Sequence, residues 1–94
     1  MHIAALSIEL RLPACRTLKE KRSALKSLLA ALHREFHLSA AELDHLDSPG
    51  SSVVGCVVVS NDPAHAQRVL ARLPEWIENR RPDIEVVDSA LSMR

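Results

Sequence analysis

The sequence predicts an α+β domain with four strands and two helices in the order β-α-β-β-α-β. Three observations lead to this prediction. The chain begins with apolar and polar residues in alternation, which is typical of a half-buried strand. Two later segments repeat apolar residues at helical spacing. Between them, a Pro-Gly pair separates two strand-like segments and predicts a hairpin turn.

The first strand is predicted over residues 2–12 and the first helix from Thr17 to about Phe36. The predicted inward face of the strand comprises Ala4, Leu6, Ile8, Leu10 and Leu12. Pro13 ends the strand because it cannot donate to a ladder. Thr17 and Glu20 match a capping box at the helix start. The apolar stripe of the helix comprises Leu18, Leu25, Leu28, Leu29, Leu32 and Phe36.

The second half of the chain repeats this pattern. Residues 38–47 predict a second, weaker strand, and residues 48–51 predict the turn. Residues 53–60 are apolar on both faces, so this third strand should be central in the sheet. Asn61 or Asp62 caps the second helix, and Pro74 should kink or split it because proline lacks an N–H donor. A last strand is predicted over residues 83–91, with Ile84 and Val86 inward.

Two right-handed crossovers joined by a hairpin make the ferredoxin-like split βαβ sandwich. We therefore expect residues 1–94 to form a single ferredoxin-like domain, since 94 residues are enough for one core. The sandwich should contain a four-stranded antiparallel sheet with two helices on one face. The first and third strands should be central.

The composition narrows the cellular compartment and the classes of partner that we expect. The chain has no apolar run long enough for a membrane span and no pattern of a signal peptide, which favours a cytoplasmic protein without membrane contact. Cys15 and Cys56 make neither a disulfide framework nor a zinc site. Net charge is zero, but residues 1–34 carry seven Lys and Arg against two Asp and Glu. Because the charges are segregated along the chain, an anionic partner could still bind to the basic part of the surface.

Several strings resemble the YlxP-like family of small bacterial proteins, a domain of unknown function. They are "IELRLPACRTLKEKRSALKSL", "AELDHLD" and "VVVSND" followed by "AH", and the resemblance covers about residues 3–90. It implies the ferredoxin-like fold and no established activity. Genes of this family often lie beside those for translation initiation and ribosome-binding factor A, which implies an RNA- or ribosome-related role. The hairpin "SPGSS" lacks the aromatic and basic residues of relatives, so base stacking there is not expected.

The first helix concentrates basic residues near its start, although cations oppose the helix dipole there. Phosphate groups would reverse that small cost. The candidate nucleic-acid-binding residues are Arg16, Lys19, Lys21, Arg22 and Lys26, with Arg68 and Arg72 of the second helix in support. The two basic flanks are expected to merge into one strip. The alternative is an ordinary solvated flank with snorkelling side chains, and the sequence leaves both interpretations open.

The open sheet face is predicted to be acidic and apolar. The strands contain no aromatic residue, and Glu42, Asp44 and Glu85 are expected on this face, which disfavours RNA binding there. Its apolar part predicts a surface for self-association as a homodimer. The candidate residues for that contact are Ile3, Ala5, Val57, Val59 and Val87.

No pattern predicts catalysis. His33 and His37 lack the adjacent Glu of a zinc-protease helix, and Glu42 with Asp44 on one face would be a weak cation site. We expect no catalytic residue, metal, cofactor or small-molecule substrate. The sequence thus predicts a small non-enzymatic binding protein that contacts structured RNA or a ribosomal particle. The alternative is a homo-oligomeric protein-interaction module that uses the open sheet face.

Overall fold

A computed structural model describes all residues, 1–94. Its elements are β1 (His2–Arg11), α1 (Leu18–Phe36), β2 (Ser39–Asp44), β3 (Ser51–Ser60), α2 (Pro63–Ala71), α3 (Leu73–Arg80) and β4 (Glu85–Met93). The strands form one antiparallel sheet in the order β2-β3-β1-β4. This order, with the helices as the second layer, confirms the ferredoxin-like α+β sandwich and the central positions of β1 and β3.

The core lies between the sheet and the helices. All five inward residues predicted for the first strand are buried. In β3 the inward residues are Val54, Cys56 and Val58, and the alternate positions face away from the helices. From the helices, the core receives Leu25, Leu28, Leu32, Ala66, Leu70, Leu73 and Ile77. The apolar residues that alternate along the strands and those at helical spacing therefore form one buried layer, as the sequence predicted.

Helix α1 begins and ends with specific caps. The Glu20 N–H donates to Thr17 Oγ1 at 3.1 Å, and the Glu20 carboxylate accepts from the Arg16 N–H at 3.3 Å and the Thr17 hydroxyl at 3.1 Å. These bonds satisfy donors that the first helical turn leaves free. At the other end His37 adopts a left-handed conformation with φ 52°, and its N–H donates to the His33 carbonyl. The predicted helix bounds are confirmed.

The predicted second helix is two helices. Asp62 caps α2 by accepting from the Ala64 N–H at 3.0 Å. The break falls at Arg72, two residues before Pro74, which lies in the first turn of α3. Proline is tolerated there because that N–H has no helical partner. No helix of the chain is both long and apolar enough to cross a bilayer.

A register shift in β2 corrects one prediction about the sheet face. Glu42 pairs with the inward Val54, whereas Asp44 pairs with the outward Val53. The two carboxylates therefore lie on opposite faces, and they do not form the shared cation site that strict alternation predicted. A second shift, opposite Glu9 and Leu10, leaves Val87 of β4 without a cross-strand partner.

Candidate binding surfaces

Lys21 does not belong to the exposed basic surface. Its side chain is 0 % exposed, and its ammonium lies 2.9 Å from Glu42 Oε2. The same ammonium donates to the carbonyls of His45 at 2.7 Å and Ser51 at 3.2 Å. The Ser52 hydroxyl also donates to the Glu42 carboxylate, at 2.6 Å. Lys21 therefore joins α1 to the β2–β3 hairpin, which corrects its assignment as a candidate nucleic-acid contact.

The other four basic residues of this segment form the basic edge of α1, namely Arg16, Lys19, Arg22 and Lys26. All four are exposed, and none has a carboxylate within ion-pair distance. At 100° per residue, Lys19, Arg22 and Lys26 point within about 60° of one another. Their charges are therefore available to an anionic partner.

Arg72 does not extend this edge. The Arg72 guanidinium lies over the ring of Phe36, 5.8 Å from its centroid, at the last residue of α1. Lys26 is ten residues before Phe36, or about 15 Å along the helix axis. Arg68 is exposed on α2. Arg72 therefore does not join the basic edge, because that edge occupies the first half of α1 and Arg72 meets α1 at its last residue.

A different cationic feature lies between α1 and α3. Arg81 donates to the Ala24 carbonyl of α1 at 3.4 Å and pairs with Asp83 at 3.1 Å. Its bonds to Asp83 hold the pKa of that carboxyl below its usual range. Arg80 lies 5.5 Å from the centroid of the Trp76 ring and 3.7 Å from the Glu35 carboxylate. The sequence did not point to these two arginines, because their convergence depends on how α3 packs beside α1.

The open face of the sheet carries a groove with a volume of about 430 Å³. Its floor is a row of small residues that crosses all four strands, Ala41, Gly55, Ser7 and Ala90. The side chain of Leu43 lies over Gly55, where an added Cβ would approach Leu43 Cδ1 to 2.6 Å. Leu43 is nonetheless 59 % exposed, so it forms an apolar knob beside the groove.

Four of the five candidate self-association residues lie together on the neighbouring strands β1 and β3, and two of them, Ala5 and Val57, line the groove. Ala5 pairs with Val57 and Ile3 pairs with Val59, and Val59 is 62 % exposed. Val87 is exposed but lies at the register shift near the opposite end of β4, apart from this group. We call Ile3, Ala5, Leu43, Val57 and Val59 the sheet-face patch.

Charge is distributed unequally at the two ends of the sheet-face patch. Beyond the groove, Asp44, Glu9 and Asp88 form an acidic row across the sheet through Val53. At the other end Arg94 pairs with Ile3 through two backbone hydrogen bonds. One end of the face therefore carries three carboxylates, and an arginine lies at the other.

The family profile that matches this sequence covers residues 3–91 and describes a protein of unknown function, DUF503. The chain belongs to the DUF503 family. A search of curated proteins finds no match. The matched segment of this DUF503 protein runs from the start of β1 into β4 and includes the basic edge, the sheet-face patch and the Lys21–Glu42 pair.

The remaining polar groups of this DUF503 protein serve mainly the fold. Burial raises the pKa of Cys56 to about 11, and burial together with the nearby Glu20 carboxylate raises the pKa of Cys15. His33 Nδ1 lies 3.0 Å from the Leu38 carbonyl. No group of three or more His, Cys, Asp or Glu side chains is arranged to hold a metal ion.

Proposed function

We propose that this DUF503 protein is a non-enzymatic binding protein that contacts structured RNA or a ribosomal particle through the basic edge of α1. One observation carries the proposal: four exposed cations on one segment have no carboxylate within ion-pair distance. The YlxP-like resemblance, with its translation-related gene neighbours, supports the same partner class and a cytoplasmic setting.

Phosphate binding fits both the charge and the position of the basic edge. Arg16 and Lys19 flank the start of α1, where free N–H groups and the helix dipole attract anions. Four phosphate contacts predict that log K falls with log salt with a slope of about −3 to −4. Because the open sheet face carries an acidic row, the RNA should contact the helical layer and not the sheet.

Fluorescence anisotropy with a structured RNA across a salt series tests this proposal. The triple variant Lys19→Ala/Arg22→Ala/Lys26→Ala should lose most of the affinity and reduce the salt slope by about 3. The control Arg11→Ala/Arg94→Ala removes two exposed cations outside the basic edge and should bind as the parent does. Equal binding by the parent and the triple variant, or no binding by either at low salt, contradicts the proposal.

A second candidate function is self-association through the sheet-face patch, with a second copy of this chain as the partner. The apolar groove and the exposed Leu43 and Val59 favour this candidate. Stacking two sheets about a two-fold axis that runs across the strands would place the acidic row of one copy against the Arg94 end of the other. Such a pairing is isologous and electrostatically complementary.

The area of the open sheet face limits the expected affinity of this dimer. Four strands about 4.8 Å apart and some seven residues long give roughly 500 Å² per copy, or about 1,000 Å² in total. This area lies at the lower limit for a specific interface, so a weak dimer that forms at high concentration is expected. The stacking would leave both helical layers outward, so it is compatible with RNA binding.

Sedimentation velocity over a concentration series tests self-association. Val59→Glu should give a monomer at all concentrations, because it places a charge in the apolar contact. Leu46→Glu changes an exposed leucine in the β2–β3 connection and should associate as the parent does. A parent chain that stays monomeric at millimolar concentration contradicts this candidate.

A further inference from the structure

A groove made of two adjoining depressions follows the flank of α1 that faces α3. Two depressions, of about 590 and 300 Å³, share Ser27 and Arg81 in their walls. The first is also lined by Lys19, and the second by Arg34, Arg80 and Trp76. We call the joined depressions the α1–α3 groove. From Lys19 to Arg34 it extends about 22 Å along the helix axis.

Small residues of α1 keep this groove open. The α1 residues in its walls, apart from the charged ones at the ends, are Ser23, Ala24, Ser27, Leu28, Ala30 and Ala31. Except for Leu28, which belongs to the core, these residues have short side chains that leave the space between α1 and the α3–β4 connection unfilled. Arg81 bridges that space by donating to the Ala24 carbonyl.

The charged residues that line the groove are mostly cationic. Lys19, Arg34, Arg80 and Arg81 line it, against the single carboxylate of Glu20. Glu20 is already engaged, because its carboxylate accepts from the Arg16 N–H and the Thr17 hydroxyl. Arg34 has no carboxylate within ion-pair distance. Arg80 and Arg81 are already paired with Glu35 and Asp83, so Arg34 is the guanidinium in the groove that is left free for phosphate oxygens.

Trp76 supplies an aromatic wall beside these cations. Phe36 contacts it edge-to-face at 5.1 Å and 81°, which restrains the orientation of the indole. Trp76 packs partly against the core, and the Arg80 guanidinium lies over its ring, 5.5 Å from the centroid, so a stacked base would take the place of Arg80 on that ring. An aromatic surface next to guanidinium groups is the chemistry that binds a base and its phosphate in single-stranded nucleic acids.

We propose that the α1–α3 groove binds a nucleotide of a single RNA strand, with the base stacked on Trp76 and the phosphate held by Arg34. The inference rests on the proposed function for its partner class, but it assigns a surface that shares only Lys19 with the basic edge and a different mode of contact. The basic edge would hold structured RNA by charge alone, whereas this groove would read an unpaired base.

Trp76 allows a direct test because it is the only tryptophan and the chain has no tyrosine. Titration with tetraadenylate should quench its fluorescence in a saturable way, and adenosine monophosphate should do so with at least tenfold weaker affinity. Equal affinity for the two would overturn the assignment to a strand in favour of a free nucleotide. The absence of quenching by both would overturn the site.

Substitutions at Trp76 and Arg34 distinguish the contribution of stacking from that of positive charge. Binding of labelled tetraadenylate, followed by anisotropy, should fall about tenfold in Arg34→Gln and in Trp76→Leu. Trp76→Phe should retain most of the affinity, since it keeps an aromatic face. Arg11→Gln, on the sheet side, is the control and should bind as the parent does. Loss of binding in the control, or equal binding by Trp76→Leu and the parent, would overturn the proposal.

The failure of this inference is distinguishable from the failure of the proposed function. Arg22→Ala/Lys26→Ala should lower the affinity for structured RNA at least tenfold. It should leave the affinity for tetraadenylate unchanged, because neither residue lines the groove. If Trp76→Leu binds tetraadenylate as the parent does, while the basic-edge variant no longer binds structured RNA, only the groove assignment fails. Far-ultraviolet circular dichroism melts confirm that each variant is folded.

Discussion

Lys21 has a different role in the structure from the one that its sequence context predicts. In the string "LKEKR" it stands among exposed cations, yet it is the one that the fold buries. A buried ammonium needs a carboxylate and several acceptors to offset its desolvation, and Lys21 has Glu42 and the hairpin carbonyls. It therefore orders the β2–β3 hairpin against α1 instead of meeting solvent.

We predict that Lys21→Met lowers the free energy of unfolding by about 3–5 kcal/mol, because it leaves the Glu42 carboxylate without its cation. Urea denaturation measures the loss. Lys26→Met, at an exposed position, should change stability by less than about 0.5 kcal/mol. Lys21→Met/Glu42→Leu should lose less than the single variant, and an equal or larger loss would contradict the role of the pair.

Gly55 provides a second prediction at the residue scale. Gly55→Ala should be neutral or destabilising, because its Cβ would displace Leu43 and repacking costs about 1–3 kcal/mol. In a Leu43→Ala background the same change should stabilise the chain by about 0.5–1 kcal/mol, since alanine loses less entropy than glycine. Thermal or urea denaturation of the four variants gives the sign in each background. The same sign in both would rule out the contact.

At the scale of elements, the helix starts are set by local sequence. Thr17 and Asp62 each accept a backbone N–H in the first turn of their helices. Such caps depend on residues within three positions, which is why the starts of α1 and α2 were predictable. The break at Arg72 was predictable only as a kink or a split, because Pro74 permits both.

Thr17→Ala should destabilise the chain by about 1 kcal/mol, through loss of the hydrogen bond to the Glu20 N–H. Thr17→Ser keeps an acceptor and is the matched control. Chemical denaturation measures both variants. If alanine and serine give the same stability, the cap contributes nothing measurable to α1.

The α3–β4 connection should respond to pH through Asp83. The Arg81 side chain holds the pKa of Asp83 below its usual value of about 3.9. A carboxyl whose folded pKa is lowered stabilises the fold above its unfolded pKa, and this contribution is lost as pH falls through the folded pKa. Asp83→Asn should therefore be less stable than the parent at pH 7, with a difference that closes below about pH 4. A pH-independent difference in denaturation midpoint would contradict this linkage.

At the scale of the whole molecule, the two layers present different chemistry. The helical layer carries the basic edge and the α1–α3 groove, and the open sheet face carries an apolar patch with an acidic row. An acidic row on the sheet and cations on the helices would keep an RNA partner on the helical side. A net charge of zero thus conceals two surfaces of opposite character.

The two proposed contacts should be independent and should differ in how strongly they respond to salt. Structured-RNA affinity should fall steeply with salt because phosphate counterions are released. Self-association through the apolar patch should change far less between 50 and 500 mM salt, and sulfate should strengthen it. Val59→Glu should abolish self-association and leave RNA affinity at the parent value. Parallel loss of both in that variant would show that the two surfaces are coupled.

The sequence by itself determined the order of strands and helices, the inward face of β1, and the starts of α1 and α2. Each of these follows from periodicity or from partners a few residues apart, so local order is enough to predict it. It also located the basic edge of α1 and four of the five residues of the sheet-face patch. The register shift between Glu42 and Asp44 places Asp44 on the face opposite Glu42, and it is a property of strand pairing that strict alternation cannot predict.

Only the tertiary structure decided which cations are free and which residues share a groove. Arg34, Trp76 and Arg81 are up to 47 positions apart in the chain, and they converge because α1 and α3 pack side by side on one face of the sheet. Lys21 is buried because α1 crosses the β2–β3 hairpin at that turn of the helix. Long-range packing sets both outcomes, and no local pattern in the chain encodes the distance between elements.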